Sequence, residues 1–97
     1  MWRRTRPQRA ENDKGASIER GGRFTKIYSD GVREMDFAVE DGRDENDKYV
    51  LHVHWELPLR WNPPYESEPV SNEEAQKIRD DLIEAQQVLG GRVIFSK

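Results

Sequence analysis

The chain has no cysteine among its 97 residues. Disulfides, thiolate metal sites and a cysteine nucleophile are therefore excluded. No apolar run approaches the roughly 20 residues that a membrane-spanning helix needs. The N-terminus is basic but no apolar stretch follows it, so a secretory signal is not expected and a cytoplasmic location is the default. Leu, Ile, Val and Phe together supply only 20 of the 97 residues, close to the roughly 20% at which chains stop folding. A single domain of this length buries about 60–65% of its unfolded surface. The core must be thin, and a large enclosed substrate pocket is not expected. There is no glycine-rich phosphate loop and no Gly-x-Ser-x-Gly elbow. The acids are spread along the chain with no distinguishable acid–base pair, so neither an enzyme nor a cofactor is expected.

Charge, by contrast, is plentiful. Asp, Glu, Lys and Arg make up 36% of the chain, with 19 acids against 16 bases. The distribution is uneven: residues 1–14 carry a net +3 and the remainder a net −6. An acidic body argues against nucleic acid as its main ligand. It suits either a basic protein partner or simple solubility.

Residues 1–15, "MWRRTRPQRAENDKG", show no period and few apolar side chains. They read as a disordered basic tail, with residues 16–97 as the folded domain. Arg3, Arg4, Arg6 and Arg9 could touch nucleic acid or an anionic surface. From Ala16 the pattern becomes short strands and turns. "ASIER" runs into Gly21-Gly22, a two-residue hairpin signal. "RFTKIYS" runs into Asp30-Gly31, another. In "VREMDFAVE", Met35, Phe37 and Val39 alternate with Glu34, Asp36 and Glu40, the signature of a half-buried strand. A polar loop over Asp41–Asp47 follows. "YVLHVHWEL" then places Tyr49, Leu51, Val53, Trp55 and Leu57 on one face and Val50, His52, His54 and Glu56 on the other.

Pro58 ends that strand. A proline-rich connection carries Trp61 and Tyr65, beside Pro63 and Pro64. Next comes a helix. Ser71 is its N-cap and Glu74 completes a capping box, with Val70 and Ala75 as a hydrophobic staple. Ala75, Ile78, Leu82, Ala85 and Leu89 follow the spacing of one buried face, and Gly90 stands where a terminating glycine belongs. "RVIFS" is a last strand. The expected architecture is α+β: four antiparallel strands, one helix packed across one face, and a final C-terminal strand. The other sheet face is left at least partly wet.

His52, His54 and Glu56 raise a question of chemistry. If Val39 faces Tyr49, then Asp36 opposes His52 and Glu34 opposes His54, with Cβ atoms roughly 4.5–5.5 Å apart. Such pairs could be ordinary cross-strand contacts worth at most about 1 kcal/mol each. They could set the charge pattern of a protein-binding surface. Alternatively, two imidazoles and a carboxylate could ligate zinc, but no fourth ligand or shielding group is evident.

One stretch carries a resemblance. "RWNPPYESEPVSNEEAQKIRDDLIEAQQVLGGRVIF", residues 60–95, resembles the C-terminal half of small bacterial immunity proteins of polymorphic toxin systems. The shared features are Trp61, Pro63-Pro64, Glu68-Pro69, Ser71 with Glu74, and the last strand. The resemblance implies a cytoplasmic protein that neutralises a cognate toxin domain by binding it, with no chemistry of its own. Glu34, Asp36, Glu40, Asp41, Asp44, Glu45 and Asp47 would then face a basic toxin surface together with His52 and His54. Trp61 and Tyr65 would be anchors if exposed and core if buried. The rival expectation is a small regulatory or accessory module that touches nucleic acid through its arginines. Monomer and homodimer are both compatible with the strand edges.

Overall fold

The computed structural model describes residues 1–96. Seven strands are present: β1 (Arg3–Arg6), β2 (Arg9–Glu11), β3 (Ser17–Gly22), β4 (Thr25–Ser29), β5 (Glu34–Arg43), β6 (Tyr49–His54) and β7 (Arg92–Ser96). One helix, α1 (Asn72–Leu89), lies between β6 and β7. The strands form one sheet in chain order. β1 to β6 make an antiparallel meander, and β7 joins β6 in parallel after the helical crossover.

The α+β class and the single helix agree with the sequence expectation, but the strand count differs. Residues 1–15 do not form a tail. β1 and β2 extend the sheet by pairing Arg3 with Glu11 and Arg9 with Glu19. Trp2 and Ala10 are buried in the main core. Strands of three and four residues are too short to display a period, and backbone pairing stabilises them without a run of apolar side chains. Arg9, partly buried, is tied down locally: it contacts Glu11 and Glu19, each at 3.0 Å.

Two turns also differ. β3 continues through Gly21 and Gly22, and the chain reverses at Arg23-Phe24. Gly21 serves a close approach, because a Cβ there would lie 2.6 Å from Ile27 Cδ1. β5 runs on to Arg43, so that Val39 pairs with Val53 rather than with Tyr49. The turn begins at Asp44, whose carboxylate accepts from the backbone N–H groups of Asn46 (2.8 Å) and Lys48 (3.0 Å). Asp30-Gly31 does form the expected turn; Asp30 Oδ1 accepts from the N–H groups of Val32 and Arg33.

The helix forms where capping and periodicity place it. Ser71 Oγ accepts from Glu74 N at 3.1 Å, and Glu74 reaches back to Ser71 N at 3.4 Å. Ala75, Ile78, Leu82 and Ala85 are buried against the sheet. The sheet side of that core comprises Ile18, Tyr28, Met35, Phe37, Val39, Leu51, Val53 and Trp55. Phe37 stacks on Trp55 at 5.7 Å between centroids, and Phe95 meets Trp55 edge-on at 5.2 Å. With a single helix, only one face of the sheet is covered. Among the described residues no helix is long and apolar enough to cross a membrane.

Candidate interaction face

The face turned away from α1 is set by strand parity. Met35, Phe37 and Val39 point into the core, so Glu34, Asp36, Ala38 and Glu40 project the other way and are exposed. Their cross-strand neighbours on β4 are Ser29, Ile27 and Thr25. On the β6 side, Glu40 opposes His52, and His52 in turn opposes Ile94. A shallow groove of about 370 Å³ is lined by Phe24, Ala38, Glu40, His52, His54 and Ser96. Phe24 stands at its rim, 58% exposed.

Glu34, Asp36 and Glu40 thus lie in one column, Glu34 and Asp36 about 7 Å apart at two-residue spacing. None of the three makes an ion pair among the described residues. Asp36 is oriented by Asn62, whose side-chain amide donates to its Oδ1 at 2.9 Å. Asn62 Oδ1 in turn accepts from the Asp36 backbone N–H at 3.3 Å.

The histidines do not pair as the sequence suggests. The longer β5 moves the register by four residues, which leaves parity intact but changes every partner. His52 opposes Glu40 instead of Asp36, and His54 lies beyond the reach of Glu34. His54 Nε2 lies 3.1 Å from Glu56 Oε2. The His52 ring leans over Gly42, where a Cβ would come within 2.8 Å of its Nε2. That is the direction away from His54, so His52, His54 and Glu56 do not converge on a common point. Among the described residues no group of three His, Asp or Glu side chains could hold a metal ion.

The remaining acids separate. Asp41 lies on the helix-facing side of β5, where it accepts hydrogen bonds from Arg20 and the Tyr49 hydroxyl. Asp44 is committed to its turn; the Lys48 backbone N–H, foremost, holds its carboxyl below the ordinary range. Glu45 and Asp47 are exposed in that turn, and Asp47 adopts a positive φ of 60°.

Trp61 is core rather than an anchor. It is 2% exposed, packs 6.4 Å from Tyr28, and lies under the Arg33 guanidinium at 4.1 Å. Asp30, Glu68 and Glu74 hold that guanidinium in place. Tyr65 is half-buried against the same core. Phe24, the exposed aromatic that sequence reasoning passed over, is visible only once the β3–β4 turn is placed at Arg23-Phe24.

No protein-family model, curated protein or solved structure matches the chain.

Proposed function

We propose that the protein acts by binding, as an immunity-type inhibitor that occupies a basic surface of a toxin domain through its uncovered sheet face. The observation that carries this reading is the column of Glu34, Asp36 and Glu40, exposed and without cationic partners, beside the Phe24 groove. Glu34 and Asp36, neighbours on a rigid sheet, repel each other, and all three carboxylates gain from a cation brought by a partner. An apolar rim residue in the same groove as Glu40, Phe24, adds contact area that excludes water there. Such a pattern speeds encounter with a cationic groove and sets orientation.

The nucleic-acid alternative has less to draw on. Arg4 donates to Leu89 O at 2.6 Å, while Arg6 and Arg9 face Glu19. Three of the four arginines of β1 and β2 are thus used within the fold. Affinity capture from host lysate tests the proposal. Wild-type chain should retain a toxin polypeptide that E34Q/D36Q/E40Q fails to retain. Equal capture by both proteins would remove the face from the binding site.

A further inference from the structure

The two edges of the sheet differ in character. β1 forms one edge and β7 the other. At the β1 edge Arg3, Arg4 and Arg6 are exposed, the ladder to β2 is irregular between Arg4 and Arg6, and Pro7 follows. Clustered charge, a bulge and proline are features that keep an edge strand from pairing with another chain. The centre of β7 has none of them. Val93, Ile94 and Phe95 are consecutive apolar residues, each half-buried, and among the described residues no strand lies beyond them.

The direction of the free backbone groups follows from one bond. The Trp55 N–H donates to Ser96 O at 2.6 Å. Backbone groups alternate sides along a strand, so Ser96, Ile94 and Arg92 turn theirs toward β6. Val93 and Phe95 turn theirs outward.

We propose that β7 pairs antiparallel with β7 of a second copy of the chain, about a two-fold axis through Ile94. Val93 then stands opposite Phe95 of the second copy, and Phe95 opposite its Val93. All four residues face the junction, so each pair exchanges two backbone hydrogen bonds. Ile94 meets its own copy in the closer, non-hydrogen-bonded pair between them, on the uncovered face that it shares with His52. Every apolar side chain of the strand gains an apolar neighbour. An axis through Val93 would instead set Ile94 against Arg92 and Phe95 against Gly91. Charge agrees with the axis through Ile94. Arg92 of one copy stands opposite Ser96 of the other, and beyond Ser96 lies His54, paired with Glu56. The Glu56 side chain is 77% exposed. Arginine and glutamate are together long enough to reach across the roughly 10 Å of two strand spacings. One open edge per chain gives a closed pair and not a growing filament.

Sedimentation and amide hydrogen exchange of the whole chain test the proposal together. A single strand pair is a small interface, so the shift from 11.4 kDa toward twice that mass should fall between about 10 µM and about 1 mM. Over the same range the Val93 and Phe95 amides should exchange at least tenfold more slowly, while the Ile94 amide, already bonded to β6, keeps its rate. Ile94→Lys sets two ammonium groups against each other at the axis and should remain a single chain. Should I94K fail to fold, exchange in the wild type decides alone. A wild type that stays a single chain at about 1 mM overturns the proposal. So does a dimer whose Val93 and Phe95 amides exchange as fast as in dilute solution, or one that forms equally in I94K. E34Q/D36Q/E40Q alters no residue of this edge, so failure of toxin capture and failure of dimer formation are read separately.

Discussion

Replacing Lys26 with methionine should make the protein more stable at neutral pH, against the usual direction of core substitutions. Burial, followed by the neighbouring charge of Arg20, lowers the Lys26 ammonium from its ordinary 10.5 to about 8. Asp41 offsets only part of this. The unfolded chain keeps the proton up to about pH 10.5, whereas the folded chain releases it near 8. Between those values the unfolded state binds more protons, so stability rises with pH. Below pH 8 the penalty is present in full. At about 1.4 kcal/mol per pH unit, the interval from 10.5 to about 8 amounts to about 3 kcal/mol. Methionine retains an unbranched apolar stem and carries no charge, so K26M should recover most of that amount at pH 7. Urea unfolding followed by tryptophan fluorescence, repeated between pH 7 and 10, measures it. The gap between variant and wild type should shrink steadily above pH 8. Tyr49, pushed up to about 12 by burial and then by Asp41, titrates in both proteins and cancels in the difference. A variant no more stable than wild type at pH 7, or a gap that does not change with pH, would refute the reasoning.

Three further substitutions probe the fold. Trp2→Ala should cost about 3–5 kcal/mol in urea unfolding, because Trp2 is 7% exposed within the main core; a change within about 0.5 kcal/mol would detach residues 1–15 from the domain. Tyr28→Phe removes the 2.9 Å bond to the buried Asp81 carboxylate and should cost about 1–3 kcal/mol by the same assay. Ser71→Ala removes the N-cap acceptor; it should cost about 1 kcal/mol and lower the melting temperature.

The elements that the sequence makes legible are those whose signals are local. The helix carries a capping box at one end, a terminating glycine at the other and one apolar stripe between them, and all three operate in the structure. The alternation of β5 identifies its wet and buried faces correctly. The signals fail where tertiary pairing decides. β1 and β2 owe their order to backbone ladders, β1 with β2 and β2 with β3, and to two side chains, Trp2 and Ala10. The β5–β6 register depends on how far β5 continues past Glu40, and Asp44 capping its turn settles that. Lys26 is the sharpest case. In "TKIYS" the apolar Ile27 and Tyr28 are adjacent, so alternation alone leaves the inward face open. Pairing of Tyr28 with Met35 fixes the parity and carries Lys26 inward with Tyr28. Trp61 and Tyr65 could be core or surface by composition, and only packing beneath Arg33 places the first of them inside.

The central claim is that the column of Glu34, Asp36 and Glu40 receives a basic partner, and association kinetics test it most directly. Binding of the captured partner to wild type and to E34Q/D36Q/E40Q would be followed at 50 and at 500 mM salt. The face predicts a wild-type association rate that falls steeply with salt. The triple variant should associate at least tenfold more slowly at low salt and lose most of that dependence, with its unfolding free energy little changed. Identical rates and identical salt dependence in the two proteins would contradict the account.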